Sequence, residues 1–189
     1  NVTGEIYIQG NKVEINNPED AIKYGLALVP ESRKEQGLYL VQSVKYNTTI
    51  EVLKEFIGKF RVNDKRETEI TQKYIDLMST KTPSQAQEIG NLSGGNQQKV
   101  MIGRWLATKP KVLILDEPTR GIDVGAKSEI YAIMNNLVKT GVSIIMISSE
   151  LPEIINMSDR VYVMAGGVVR GCISREEISQ ESIMHLAAI

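Results

Sequence analysis

The strongest constraint on the fold is a regular alternation of apolar runs and helix-like stripes after Pro110. Val112 to Leu115 is an apolar run, Ile130 to Val138 has helical spacing, and Val142 to Ile147 is a second apolar run. Short apolar runs indicate buried strands, and strands that alternate with amphipathic helices are typical of a parallel sheet. Leu26 to Val29 predicts another strand earlier in the chain. We therefore expect an α/β fold with a mostly parallel sheet.

Turn signals predict an antiparallel hairpin on each side of this region. The first joins 5–8 to 13–15 through Gln9-Gly10-Asn11, and the second joins 161–164 to 168–169 through Gly166-Gly167. Between them, the spacing of Ile50, Leu53 and Ile57 predicts a helix. Further helices are expected at 17–25, near Ile70 to Met78, at about 95–107 and at 152–156. Ser174 and Glu177 form a predicted capping box for a last helix.

Composition narrows the class of protein before any motif is considered. The 22 Lys and Arg residues nearly balance 23 Asp and Glu residues, so no excess positive charge is left for nucleic acid or anionic lipid. The apolar runs are far shorter than the roughly 18 residues of a membrane span. Cys172 is the single cysteine, which predicts a reducing compartment. The expected protein is globular and intracellular.

Two adjacent carboxylates follow the apolar run that ends at Leu115. Asp116 and Glu117 stand at the predicted carboxyl end of a parallel strand, where ligands of such sheets bind. An acid in the first position can hold Mg²⁺, and the next can orient an attacking water. The alternative is a strand that runs into a solvated acidic turn, but the preceding apolar residues and the following Pro118-Thr119 favour the functional interpretation.

A second candidate segment runs from Leu92 to Lys99. Ser93 can cap a helix, and Gly94 and Gly95 allow backbone amides to approach a ligand closely. The positive potential of a helix N-terminus would favour a phosphate there. Alone, the segment fits an ordinary capped helix after a glycine-rich turn equally well.

Taken in order, Leu92-Ser93-Gly94-Gly95, Leu115 to Thr119 and then Asp123 resemble the signature, Walker B and D-loop of ATP-binding cassette (ABC) transporter ATPases. The amino-acid sequence is similar to that of the second cassette in double-cassette subunits of bacterial sugar importers at residues 29–34, 92–99, 115–127 and 148–153. The resemblance covers essentially the whole chain.

The resemblance implies ATP and Mg²⁺ as cofactors and an ATP-sandwich dimer of cassettes. Ser93, Gly94 and Gly95, followed by Asn96, would face ATP bound to the other cassette. Asp116 would be the magnesium-side carboxylate, Glu117 the catalytic acid that positions water, and Asp123 a D-loop residue at the dimer interface.

Several positions depart from the family pattern. Glu31 occupies the Q-loop position of a glutamine, and an ionised carboxylate accepts hydrogen bonds but cannot donate them. Ser149 occupies the switch position of a histidine, and Asn96 replaces the signature glutamine. These departures resemble the degenerate half of an asymmetric pair. Arg104 and Trp105, on the helix after the signature, are predicted to be a surface charge and a core anchor.

No Gly-x-x-x-x-Gly-Lys-[Ser/Thr] sequence occurs in the 189 residues. That loop provides the phosphate cradle and lysine of P-loop ATPases. We therefore expect residues 1–189 to be a truncated cassette that lacks the Walker A segment, with weak or no ATP binding of its own. Residues 43–92 would be its helical signature subdomain, and the remainder a RecA-like core with an antiparallel edge.

The partners implied by the resemblance are an N-terminal cassette of the same polypeptide or a second copy, and membrane permease subunits. The protein would lie at the cytoplasmic face of the membrane through the permease, without nucleic acid and without direct lipid insertion. One alternative is a degenerate interface module that does not bind ATP. Another is a DNA-maintenance cassette ATPase, which the absence of long coiled-coil heptads disfavours.

Overall fold

The structure is a computed structural model that describes residues 3–58 and 61–188. Its contacts divide the chain into two compact units, with the boundary between Ile145 and Met146. The elements of the first unit are β1 (Ile6–Ile8), β2 (Asn11–Val13), α1 (Pro18–Lys23), β3 (Leu26–Val29), α2 (Val44–Thr49), α3 (Asp64–Leu77), α4 (Gly94–Ala107), β4 (Val112–Asp116) and α5 (Val124–Lys139). A π-helical turn spans Arg33–Gly37, and 3₁₀ turns span Ile50–Glu55 and Ile89–Asn91.

The central sheet has the order β3-β4-β5, where β5 (Ser143–Ile147) crosses the boundary between the units. β3 pairs with β4 in parallel, with Leu26 opposite Val112 and Val29 opposite Leu115. Leu113 and Leu115 are completely buried because alternate side chains of β4 point into the core of the first unit. The predicted α/β fold with parallel pairing is confirmed.

The second unit contains α6 (Leu151–Met157), β6 (Arg160–Ala165), β7 (Val168–Ser174), a 3₁₀ turn at Arg175–Glu177 and α7 (Gln180–Ala187). β6 and β7 form an antiparallel hairpin whose turn residues, Gly166 and Gly167, have φ of +58° and +77°. Glycine adopts such angles without strain, which confirms the predicted hairpin. A small core of Val161, Val163, Ile173 and Ile183 holds this unit together.

The first hairpin is also confirmed, with Gln9 and Gly10 as the turn between β1 and β2. The predicted α-helix over Ile50 to Ile57 is wrong. A 3₁₀ turn at Ile50–Glu55 replaces it, with non-helical angles at Val52 (φ −119°, ψ 26°), and Ile57 bridges to Val62 instead. Apolar spacing could not show this, because three-residue and four-residue turns satisfy it equally over so short a stretch.

The capping prediction at the C-terminal end also needs correction. The Ser174 hydroxyl does donate to Glu177, at 3.0 Å, but it closes only the 3₁₀ turn. The capping box of α7 is formed by Ser179 and Ser182, whose side chains and backbone amides are reciprocally bonded at 3.0 Å.

The predicted environments of Arg104 and Trp105 are reversed. Arg104 is 4% exposed, whereas Trp105 is only partly buried. The Arg104 guanidinium donates to the carbonyl oxygen of Asn47 at 2.7 Å and to its Oδ1 at 2.6 Å. Because α4 packs against α2, α3, α5 and β3, its polar residues also point into the unit.

Candidate functional site

The N-terminus of α4 carries the predicted signature residues. Ser93 is the N-cap, with extended backbone angles, as the sequence predicted. Its Oγ accepts hydrogen bonds from the Asn96 side-chain amide at 2.9 Å and from the Asn96 backbone amide at 3.5 Å. The first turn of α4 therefore has a fixed side-chain arrangement at the end of the helix where anions are favoured.

Gly94 and Gly95 serve different purposes in this turn. A Cβ on Gly95 would lie 2.5 Å from the Cβ of Ala126, so only glycine permits the close approach of α4 to α5. A Cβ on Gly94 would meet its nearest atoms at 3.5 to 3.6 Å, which is ordinary van der Waals contact. Packing thus requires glycine at 95 but permits a side chain at 94.

A pocket of about 330 Å³ opens between the starts of α4 and α5. Asp123 caps α5 through Oδ1, which accepts from the backbone amide of Ala126 at 2.9 Å. The pocket is lined by Lys81, Ser93, Gly95, Asn96, Asp123, Gly125, Ala126 and Glu129. The predicted signature and D-loop residues Ser93, Gly95, Asn96 and Asp123 are thus brought together on one surface.

Sequence reasoning missed the charged pair beneath this pocket. Lys99 is 2% exposed, and its Nζ lies 2.6 Å from Glu129 Oε2 on α5 and donates to the Ser79 carbonyl oxygen at 2.9 Å. The hydrogen bond from Lys99, and then its charge, lower the pKa of Glu129 below the usual carboxyl value. The pair joins α4, α5 and the loop that begins at Ser79.

We expect Lys99→Met to raise the pKa of Glu129 towards its ordinary value, in a carboxyl titration by NMR. A carboxyl whose pKa is lowered in the folded state adds stability above its unfolded pKa, and this is lost as pH falls through the folded pKa. The wild-type chain should therefore lose more stability than Lys99→Met below about pH 4.3, the ordinary Glu value. Lys81→Met is the matched control, since Lys81 lies 3.9 Å from Glu129 and should change the pKa less. An equal or larger change in the control would contradict the assignment.

The two candidate catalytic acids lie at the carboxyl end of β4. Asp116 is the last residue of the strand, and Glu117 follows with φ +47°. A positive φ is uncommon for a residue other than glycine, and such conformations cluster at functional sites. Neither acid is among the residues that line the pocket at α4.

The segment at Glu31 is tied to the loop that follows Glu117. Glu31 forms an ion pair with Arg120, whose backbone amide donates to the Glu117 carbonyl oxygen at 3.1 Å. Arg33 donates to the carbonyl oxygens of Arg120, at 2.9 Å, and Gly121, at 3.3 Å. These partners lie nearly 90 positions away in sequence, so no local pattern could have predicted them.

Ser149, the predicted switch residue, belongs to the second unit and is exposed. Its neighbour Ser148 donates to the buried Glu153 at 2.5 Å and accepts from the backbone amide of Glu150 at 3.0 Å. These bonds fix the turn that presents Ser149 before α6 begins.

Membrane-spanning helices and metal-binding clusters are both absent from the parts of the chain that the structure describes. Among residues 3–58 and 61–188, no helix is long and apolar enough to cross a membrane. The same residues contain no cluster of three or more His, Cys, Asp or Glu side chains that could hold a metal ion.

Comparisons with known proteins agree with the motifs. A family model described as ABC transporter matches residues 1–120. The galactose/methyl galactoside import ATP-binding protein MglA of Clostridium tetani is 53% identical over 186 residues, which are 98% of this chain and 37% of that protein. The ribose import ATP-binding protein RbsA of Bacillus subtilis is 51% identical over 98% of this chain and 38% of its own length.

The chain thus spans little more than a third of the length of these curated relatives. Among solved structures, the ATP-binding cassette MJ1267 of an ABC transporter superposes with a TM-score of 0.80 at 24% identity, over 97% of this chain and 76% of that one. This similarity confirms the cassette fold, and the match to the family model covers well over half of the sequence. The chain belongs to the ABC transporter ATP-binding cassette family.

Proposed function

We propose that this chain is the nucleotide-binding portion of an ATP-hydrolysing subunit that drives monosaccharide import. The observation that carries the proposal is the pocket at α4, which gathers Ser93, Gly95, Asn96 and Asp123. The relatives at about 50% identity are import ATP-binding proteins for galactose and ribose, which supports sugars as the transported class.

In this proposal the pocket serves ATP held by a facing cassette. Ser93 and the amides at the start of α4 present hydrogen-bond donors and the positive end of a 14-residue helix, which suit a terminal phosphate. Asp123, which caps α5 at the rim, would contact the partner across the interface. The facing cassette would be the N-terminal cassette of the same polypeptide or a second copy.

The acids at β4 would serve the nucleotide on this chain's own side. Asp116 would hold Mg²⁺ brought in with ATP, and Glu117 would orient the attacking water. Glu31, at the Q-loop position, would complete that site less effectively than glutamine. Ser149, at the switch position in the second unit, would offer a hydroxyl where the family pattern has a histidine. The ion pair of Glu31 with Arg120 favours a second candidate, an interface module whose own site is degenerate.

The remaining partners follow from the same proposal. The groove near Glu31 and residues 43–90, within the proposed helical subdomain of residues 43–92, would receive a cytoplasmic helix of the membrane permease. The protein would then lie at the inner face of the membrane through the permease. We also propose that this chain is a second cassette without its Walker A segment, so that residues 1–189 alone bind ATP weakly or not at all.

ATP hydrolysis by the full-length protein that contains these residues tests the main proposal. We expect Mg²⁺-dependent turnover that falls by about 100-fold or more when the hydrogen-bond donors of the signature are lost. Calorimetric titration of residues 1–189 with Mg²⁺ and ATP tests whether this chain alone lacks ATP binding, as proposed. Micromolar binding would contradict the degenerate module, and absent turnover in the full-length protein would contradict the ATPase.

A further inference from the structure

Both the oxygen and the nitrogen of the Asn96 side-chain amide form hydrogen bonds. Its Oδ1 accepts from the backbone amide of Lys81 at 2.8 Å, and its Nδ2 donates to Ser93 Oγ at 2.9 Å. Since a backbone N–H can only donate, the contact with Lys81 fixes which end of the amide is the oxygen. The Nδ2 group must therefore face Ser93.

This arrangement determines what the Ser93 hydroxyl can do. A hydroxyl has one proton to donate and two lone pairs that accept. Both N–H groups that reach Ser93 Oγ, the Asn96 side-chain amide and the Asn96 backbone amide, occupy acceptor directions. The proton is left to donate to a ligand, and Ser93 lies on the wall of the pocket.

The loop that supplies the Lys81 amide is itself held in place by α4. Lys99, one turn after Asn96, donates to the carbonyl oxygen of Ser79, which has φ +47°. Two side chains of one helix face thus hold the loop at both ends, three residues apart. The Lys81 amide is therefore presented to Asn96 at a defined position before any ligand arrives.

We infer that Asn96 is a positioning residue that fixes the Ser93 hydroxyl as a hydrogen-bond donor to a phosphoryl oxygen. The inference rests on the proposed function, because it takes that oxygen to belong to ATP on the facing cassette. It explains why an amide suits position 96. A carboxylate there would still accept from Lys81, but it would also accept the Ser93 proton and turn the hydroxyl away from phosphate.

A double-mutant cycle on the full-length protein tests this inference through kcat and KM for ATP. Ser93→Ala removes the hydroxyl that donates. Asn96→Asp turns the Ser93 proton towards residue 96 and away from the phosphate, and it hardly changes the volume of the side chain. We expect each to lower kcat by about 100-fold, as for loss of one preorganised donor. Because both substitutions act through the same hydroxyl, the kcat of the double variant should stay within about threefold of the kcat of Ser93→Ala.

The alternative is that the new negative charge simply repels the nucleotide. That repulsion does not depend on the Ser93 hydroxyl, so the two effects would multiply and the kcat of the double variant would fall by about 10⁴-fold. Such a fall would overturn the inference. Asn135→Asp makes the same chemical change at an exposed position of α5 and should leave kcat within about twofold. Normal turnover of Asn96→Asp would also overturn it. Absent turnover of the unsubstituted protein would instead contradict the proposed function, and the inference with it.

Discussion

Replacement of Arg104 by methionine should lower the free energy of unfolding of the first unit by about 2–4 kcal/mol. Arg104 is buried on α4, and burial lowers the pKa of its guanidinium. Methionine keeps most of the aliphatic volume but leaves the Asn47 carbonyl oxygen and Oδ1 without the two bonds that Arg104 donates. It also removes the cation from its place 5.5 Å from the ring centre of Tyr39.

Urea unfolding of the 189-residue chain provides the measurement. Trp105, the single tryptophan, is next to Arg104 and reports on the unit that contains α4. The midpoint should fall while the slope stays constant, as expected when only stability changes. Arg66→Met is the control, because Arg66 is exposed on α3, and it should change stability by less than about 0.5 kcal/mol. Equal shifts in the two variants would show that Arg104 is not part of a buried network.

Arg104 also shows where prediction from sequence stopped. Periodicity located α4 and its cap at Ser93 because both signals are local: the spacing of apolar residues and a hydroxyl before Gly94-Gly95. The partner of Arg104 lies 57 positions earlier, on α2. A prediction from helix periodicity assumes that one face of the helix is exposed to solvent. Because α4 is enclosed on several sides, Gln98 and Lys99 are buried as well.

In the candidate site, too, local features were predictable from the sequence and contacts between distant residues were not. Asp116, at the end of β4, follows from an apolar strand that stops at a carboxylate. The convergence of Ser93 and Asp123 on one pocket needed the contact between α4 and α5, which depends on Gly95 beside Ala126. Sequence could predict the residue types at the site, but the pocket arises from the packing of two helices that start about thirty positions apart.

Gly94→Asp in the full-length protein should lower ATP turnover by at least about 100-fold, since it sets a carboxylate against the phosphate that the start of α4 would bind. The structure indicates that this variant folds. A Cβ at position 94 meets its neighbours at ordinary distances, and an acidic residue in the first turn of a helix is favourable. Stability should thus be kept or slightly raised while activity is lost. The new carboxylate would also lie near Arg33 and draw it from the Gly121 carbonyl oxygen.

Two alanine variants separate charge from packing in that experiment. Gly94→Ala adds a methyl group that fits, so turnover and melting temperature should stay close to those of the unsubstituted protein. Gly95→Ala places a Cβ 2.5 Å from Ala126, so it should cost about 1–3 kcal/mol of stability by overpacking. Near-normal turnover of Gly94→Asp would count against a phosphate at α4. Equal loss in Gly94→Ala would assign the effect to backbone freedom, because alanine brings no charge to this helix end.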